Sequence, residues 1–375
     1  MELQIIHVVL GKANPDRMNG VNKVVNSLAQ HQLMLGRKAS VWGITKTPTH
    51  NYPPREYETI LFKDIGKFKI SPELKSATGL LKNKPVIVHF HGGFIPQFYF
   101  IAKLLVENNV PYVFTPHGAF NTVALQRSKW KKKIYITLLE KYVVKHAQHV
   151  HLIGESEIHG TRKTFGDVPH TLIPNGQHES CNKTHILSKI GKTAPVFGFV
   201  GRLDLHTKGL DTLVQGFADY CHNTNKNSEL RIVGDGPDRA KLEKLAQKLG
   251  LDSQMKFLGA KYGREKDELV GQFDFLCLVS RNEGLPGVVL EAACKGVPAI
   301  VSKETNMGRF ISVSNAGFVI PQNSSSELSI AMNAAHESML NSTYQKLSQN
   351  ATKMVQNNFN WFGIAGKHIR SYEAN

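Results

Sequence analysis

Two successive series of short apolar runs, separated by stretches with helical spacing, constrain this chain more than any other feature. The first series is LQIIHVVL, ASVWGI, PVIVHF, PYVFTP, HVHLIG and HTLIP, runs that stop at or near Gly, His or Pro. Between the first two lies GVNKVVNSLAQHQLMLG, where Val24, Val25, Leu28 and Leu35 recur at helical spacing before a Gly stop. The second series is PVFGFVG, ELRIVG, QMKFLG, FDFLCLVS, PAIVS and GFVI, separated by helical stretches such as GLDTLVQGFADY and DRAKLEKLAQKLG. Near-continuous apolar strands alternating with helices predict parallel sheets covered on both faces. Because the pattern starts afresh near Pro174–Ser180, the expectation is an α/β chain of two doubly wound domains, residues 1–174 and 175–358. A closing helix at 359–375 is expected to cross back to the first, with Phe359, Phe362, Ile364, Ile369 and Tyr372 as its packing residues. Ligands of such sheets sit beyond the carboxyl ends of the strands, so the natural site is a cleft between the domains.

The 375 residues suit two domains, and a 41% hydrophobic fraction is enough for full cores. No run approaches the roughly 18 apolar residues of a membrane span. The apolar start, IIHVVL, has no basic region before it and reads as a strand rather than a signal peptide. Cys181, Cys221, Cys277 and Cys294 are scattered without CxxC spacing, which favours reduced thiols in a cytoplasmic setting. The net charge of +16 is uneven: residues 1–174 carry 23 Lys and Arg against 11 Asp and Glu. An anionic partner is implied for the first half, be it nucleic acid, a phospholipid surface or a phosphorylated substrate.

The segment RNEGLPGVVLEAACKGVP, Arg281–Pro298, puts Glu283 in a Gly/Pro-rich loop and Glu291 within an apolar helix beginning at Gly287. Val288, Val289, Leu290, Ala292, Ala293 and Cys294 leave that helix no wet face, so Glu291 asks for a ligand or a buried partner. The loop Leu285–Pro286 aims the N–H groups around Gly287 and Val288 as helix N-termini do when they hold phosphate. Two carboxylates flanking an anion cradle suggest a sugar nucleotide. In VGRLDLHTKGLDTL, Arg202 and Lys208 stand at a strand end and a helix start, where two permanent cations can neutralise a diphosphate or simply face solvent. In IVGDGPDRAKL, Asp235 and Gly236 either approach the nucleotide or belong to an ordinary turn before Pro237. No P-loop pattern is present.

In the first half, NPDRMNGVNKVV puts Gly20 at a helix start, where backbone can approach an anion or merely begin a helix. HFHGG and TPHGAF each end a strand with His then Gly, so His117 is expected to contact a polar substrate. His89 and His91 are read as pointing to opposite faces and therefore as a poor metal pair, and no metal site is expected. RSKWKKKIYITLLEKYVVK is a basic amphipathic helix with Trp130, Ile134, Leu138 and Tyr142 on one stripe. That stripe reads as core with solvated lysines, against the other reading of an anionic membrane contact.

The motifs IPNG at 173–176, GR…KGLD at 201–211, VGDGP at 233–237 and the E-x7-E from Glu283 to Glu291 occur in this order. With them the chain resembles glycosyltransferase family 4, retaining enzymes of the GT-B fold, over essentially its full length. PHGAF followed by KWKKK resembles the branch associated with bacterial surface polysaccharide assembly. The resemblance implies that Arg202 and Lys208 bind and stabilise the departing diphosphate. It implies that Glu283 contacts the donor sugar, that the Leu285–Val288 backbone holds sugar and phosphate, and that Glu291 accepts from the ribose hydroxyls. It places His117 by the donor sugar and Gly20 over the phosphates, and assigns acceptor binding to the basic first domain. After IPNG stands Gln177-His178, where the family pattern has an aliphatic residue and Asp.

The expected reaction is metal-independent hexosyl transfer from a UDP- or GDP-sugar to a glycan or lipid-linked glycan acceptor. No cofactor is expected, and the setting is the cytoplasm, with peripheral contact at the inner face of the cell membrane. A sugar-nucleotide epimerase or hydrolase on the same fold is the alternative enzyme. A basic nucleic-acid binder is the alternative outside enzymology. Few aromatics interleave with the lysines of 127–145, so no nucleic-acid partner is expected.

Overall fold

The computed structural model describes residues 3–14, 20–126, 129–177, 191–225, 227–341 and 343–374, without the side chains of 123 and 129. Two compact units divide the chain. The first comprises Met1–Gly176 and Asn360–Asn375, the second Gln177–Phe359.

In the first unit, strands β1 (Gln4–Leu10), β2 (Lys38–Thr45), β3 (Glu58–Lys63), β4 (Val86–His91), β5 (Tyr112–Thr115), β6 (His149–Leu152) and β7 (His170–Leu172) form one sheet in the order β3-β2-β1-β4-β5-β6-β7. Every pairing in it is parallel. The central strands are buried on both faces, which is why they read as unbroken apolar runs. The edge strand β3, ETILFK, has no counterpart in the sequence reading, because it alternates and leaves Glu58, Ile60 and Lys63 exposed. The helix Trp361–Glu373 packs on the helix Gly20–Met34 of the same unit. Ile364, Ile369 and Tyr372 are buried in this unit, whereas Phe359, expected with them, is buried in the core of the second unit, and Phe362 is 51% exposed.

In the second unit, β8 (Val196–Val200), β9 (Glu229–Val233), β10 (Met255–Gly259), β11 (Phe275–Leu278), β12 (Ala299–Ser302) and β13 (Gly317–Ile320) form a parallel sheet in the order β10-β9-β8-β11-β12-β13. Both sheets run outward in both directions from a first strand, the doubly wound pattern with its switch point beside that strand. The switch points are therefore β1/β4 and β8/β11. The second core is continuous across Phe197, Phe199, Phe217, Phe275, Ile300 and Tyr344.

Cys221 and Cys277 are free and buried, but Cys294 is disulfide-bonded, which departs from the expectation of reduced thiols throughout. Cys181, His178 and most of the loop before Gly20 lie outside the described residues. Among the described residues no helix is long and apolar enough to cross a membrane.

Candidate functional site

The switch point of the second sheet gathers the charged residues singled out from sequence. After β8 the chain passes Arg202 and enters a one-turn helix, Leu205–Lys208, capped by Asp204, whose Oδ1 accepts from the Thr207 N–H at 3.0 Å. Gly209 ends that turn at φ 61°, and a Cβ there would stand 2.2 Å from the Val279 carbonyl oxygen. Only glycine lets the turn lie this close to the end of β11. Lys208 is thereby brought to Glu283, with Nζ 2.5 Å from Oε1, and Ser280 Oγ donates to the same oxygen at 2.8 Å. Arg202 is exposed, and among the described residues it has no ion-pair partner.

The loop carrying Glu283 is held at both ends. Arg281 pairs bidentately with Asp211, at 2.9 and 2.8 Å, and donates to the Leu205 carbonyl at 3.1 Å. Asn306 Nδ2 donates to the Glu283 and Gly284 carbonyls at 2.8 and 2.7 Å. Sequence reasoning missed Arg281 as an anchor, because its partner lies 70 positions away with no local signal. The helix Gly287–Cys294 then begins after Pro286 with no side chain capping it, so its first N–H groups remain open to an anion. Leu285 is partly buried and Pro286 buried.

Glu291 is not sealed in an apolar helix as expected. Gly287, Val288 and Glu291, which share one face at i, i+1 and i+4, form a partly open strip. Its partner is Lys266 on the helix Gly263–Gln272, with Nζ 2.7 Å from Oε2. Each side chain keeps about a quarter of its surface open, at 22% and 25%. Asp235 is exposed, its Oδ1 accepting from the Gly236 N–H at 2.7 Å. The glycines around it serve packing: a Cβ on Gly234 would meet Gly201 O at 1.8 Å, and one on Gly236 would meet Leu203 O at 2.4 Å. The turns after β8 and β9 are thus laced together directly.

In the first unit, Gly20 opens its helix, exposed, with nothing within 4 Å of a Cβ. His117 ends the β5 turn at φ 51°, a strained value for a non-glycine residue. Buried Glu157 holds this turn, its Oε1 accepting from the Gly118 N–H at 2.6 Å and its Oε2 from the Ile153 N–H at 3.0 Å. Burial pushes the Glu157 carboxyl up to about 7, partly offset by those N–H donors.

His89 and His91 do not point to opposite faces. Residues two apart on a strand share a face, and their ring centroids lie 4.0 Å apart. With His7 they form a group whose ring nitrogens lie within 4.8 Å of one another, the spacing of a metal site. All six nitrogens already have hydrogen-bond partners, namely Gln32, Tyr372, Thr115, His117 and one another. The group is built as a hydrogen-bonded cluster.

The basic stripe is also not core. Trp130, Ile134 and Leu138 are 77%, 61% and 66% exposed, and only Tyr142 of the four is half-buried. The segment is a helix Lys129–Tyr135, a π-turn Ile136–Glu140 and a helix Lys141–His146. Its inward side chains are Val143, Val144 and Glu140; Glu140 Oε1 accepts from the Phe94 N–H at 2.9 Å, and burial pushes its carboxyl up to about 7.

Comparison with known proteins covers both units. Residues 183–354 match the family described as Glycosyl transferases group 1, and residues 18–178 match Glycosyltransferase Family 4. The 2-deoxystreptamine glucosyltransferase of Streptomyces kanamyceticus is 27% identical over 204 residues, 50% of this chain and 52% of that protein. The lipopolysaccharide glucosyltransferase WaaG of Escherichia coli is 30% identical over 124 residues, 33% of this chain and 32% of that protein. The matched part thus spans about half or less of these curated relatives. The solved sucrose-phosphate synthase of Thermosynechococcus elongatus superposes with a TM-score of 0.74 at 19% identity, covering 99% of this chain and 98% of that one. Anabaena HepE, solved in complex with UDP and glucose, gives 0.71 at 16% identity, covering 99% and 100%. At these identities the structural likeness speaks to fold alone.

Proposed function

Since the chain belongs to glycosyltransferase family 4 and has the GT-B fold, we propose that it moves a hexose from a UDP- or GDP-sugar to a glycan or lipid-linked glycan acceptor, with retention at the anomeric carbon. The observation that carries this reading is the Lys208–Glu283 pair beside the uncapped N-terminus of the helix Gly287–Cys294. An anion lying on the Gly287 and Val288 N–H groups meets helix dipole and cations together. Arg202, without an ion-pair partner among the described residues, and Lys208 stabilise the charge that develops on the departing diphosphate, supplying what a divalent ion supplies elsewhere. Glu283 accepts from donor-sugar hydroxyls, and Glu291, steadied by Lys266, accepts from the ribose. His117 contacts a hydroxyl of the donor sugar. The departing phosphate takes the acceptor's proton in a front-face attack.

The test is thermal stability against UDP, GDP and their sugar conjugates, in wild type and Glu291→Ala. A ligand at a hundred times its dissociation constant adds about 2.7 kcal/mol. A shift in wild type that is lost in the variant supports the reading and identifies the nucleotide; no shift with any nucleotide overturns it. Free sugar released at full rate without acceptor would favour the hydrolase alternative. Activity abolished by chelator and restored by Mg²⁺ or Mn²⁺ would overturn the metal-independent step.

A second reading concerns the acceptor side. Exposed Trp130, Ile134 and Leu138, beside exposed Lys131 and Lys133, supply the apolar and cationic components of peripheral attachment to an anionic bilayer. Such attachment suits a lipid-linked acceptor and a role in surface polysaccharide synthesis. Co-sedimentation with phosphatidylglycerol vesicles, lost in Trp130→Ser/Leu138→Ser and absent with phosphatidylcholine, is the expected result.

A further inference from the structure

The buried histidines of the first unit form a line whose hydrogen-bond direction can be deduced from one end. His7 on β1 pairs in register with His89 on β4, at the switch point of the first sheet, and His91 on β4 pairs with Thr115 on β5. At the far end, His151 Nε2 lies 2.7 Å from the Ile173 carbonyl oxygen. A carbonyl only accepts, so the proton is on Nε2. Burial holds the ring neutral, its pKa pushed down to about 4, so Nδ1 is bare and accepts the Thr115 hydroxyl at 2.7 Å. The Thr115 oxygen, its hydrogen committed, accepts from His89 Nε2 at 2.6 Å, and His89 Nδ1 accepts from the Tyr372 hydroxyl at 2.7 Å.

The Tyr372 oxygen accepts from Gln32 Nε2 at 3.5 Å, which turns the other end of the amide, Oε1, toward His7 Nε2 at 2.7 Å. With the amide reversed, the Gln32 oxygen would face a Tyr372 hydroxyl already spent on His89. His7 Nε2 therefore donates, and its Nδ1 accepts from His91 Nε2 at 2.9 Å. His91 Nδ1 accepts in turn from His117 Nε2 at 3.0 Å. Burial holds His7, His89, His91 and His117 neutral, as it does His151. All five rings are consequently of the Nε2–H form. The line ends at His117 Nδ1, which has no hydrogen-bond partner among the described residues.

We propose that Gln32, Tyr372, His7 and His91 are positioning residues that fix the tautomer of His117, so that its bare Nδ1 can only accept a hydrogen bond from a hydroxyl of a carbohydrate ligand. The ligand half rests on the assignment of His117 to the donor sugar. A group at that position which cannot donate, such as fluorine or a carbonyl oxygen, is refused, because two acceptors would face each other. The turn held by Glu157 sets where the ring stands, and the histidine line sets what it asks for. The positioning residues come from the helices Gly20–Met34 and Trp361–Glu373 as well as from β1 and β4.

The experiment uses the full chain labelled with ¹⁵N-histidine, with long-range ¹H–¹⁵N correlation spectra recorded above pH 7. In wild type, His7, His89, His91, His117 and His151 are all expected as Nε2–H. Gln32→Met removes the acceptor from His7. The rings His7, His91 and His117 then gain an Nδ1–H population, while His151 keeps its form because the Ile173 carbonyl still anchors it. Tyr372→Phe, which frees the Gln32 amide, gives the same pattern and serves if the first variant does not fold. A merely structural cluster would shift all five rings together or none. Nδ1–H at His117 in wild type, or an unchanged His117 in a folded variant, overturns the proposal.

The ligand half is read with UDP-hexose analogues in which single hydroxyls are replaced by hydrogen or fluorine. At one position the deoxy and fluoro analogues should lose affinity alike, by about tenfold, with no rescue by fluorine. If the tautomers are as drawn but no position behaves so, the contact between His117 and the sugar is overturned. The nucleotide reading is then judged separately by Glu291→Ala.

Discussion

Lys208 Nζ lies 2.5 Å from Glu283 Oε1, tying the turn after β8 to the loop after β11 across the switch point of the second sheet. The pair puts a cation and a carboxylate together where a ligand can exchange with either. A diphosphate competes for the ammonium, and sugar hydroxyls compete for the carboxylate, so binding exchanges one partner for another rather than exposing a bare charge.

Lys208→Met and Glu283→Gln should therefore separate stability from rate. With side chains 23% and 14% exposed, the pair contributes at most about 1 kcal/mol to folding. Loss of a cation aimed at the leaving group should lower kcat by about 10²–10³-fold. Transfer kinetics and calorimetry on the two single variants and the double variant check this. An intact kcat with a large loss of stability would assign the pair to structure alone.

Lys266→Met should weaken nucleoside diphosphate binding less than Glu291→Ala does. The lysine steadies a carboxylate that would otherwise have to be ordered on binding, at about 0.5–1.5 kcal/mol for a flexible side chain. Titration calorimetry with UDP and GDP would show a loss of up to about tenfold for Lys266→Met, with kcat little changed.

Gly209→Ala and Gly234→Ala should each destabilise the second unit by more than about 2 kcal/mol. Both have positive φ, at 61° and 149°, and a Cβ would meet backbone oxygen at 2.2 and 1.8 Å. Gly287→Ala is the control: nothing lies within 4 Å of its Cβ, so stability should be unchanged or slightly raised. Scanning calorimetry of the three variants gives the order.

Acid should unfold the first unit early. Buried His7, His89, His91, His149, His151 and His368 have pKa values pushed down by burial, to about 4 for His7, His149 and His151 and well below the usual value for the rest. Such rings bind fewer protons folded than unfolded. Their contribution is complete above about 6.5 and is lost as pH falls toward 4, by up to about 1.4 kcal/mol per pH unit for each ring. Glu140 and Glu157, raised to about 7, act in the opposite sense, costing stability as pH rises through roughly 4.5–7. The rings outnumber the carboxyls, so acidification wins. Trp42, Trp130 and Trp361 all belong to the first unit, so fluorescence against pH reports on it directly.

Most of the sheet was legible because buried parallel strands write themselves as apolar runs, and β3 was not because an edge strand alternates. Glu283, Arg202 and Lys208 stood out because they lie in the loops that follow strands or precede helices, and Glu291 because it is the one carboxylate in an otherwise apolar helix. Lys266, which pairs with Glu291, and the Arg281–Asp211 pair that anchors the loop were not, since long-range ion pairs leave no local pattern. The stripe through Trp130 illustrates a different limit: helical spacing says that residues share a face but not whether that face is covered. The histidine line was hidden for a third reason. His7, Gln32, His89 and Tyr372 are scattered along the chain, and only the fold puts them in register.

The first unit is built from segments on both sides of the second and is completed by the helix Trp361–Glu373 that follows it. Trp361, Ile364, Ile369 and Tyr372 enter its core from the segment after the second unit. During synthesis the seven strands of the first sheet therefore leave the ribosome long before the helix that seals them. The contiguous second unit can reach its native state first. The strands made before the second unit are sealed only after it, and in the interval their polar histidine core waits open for a helix still being translated.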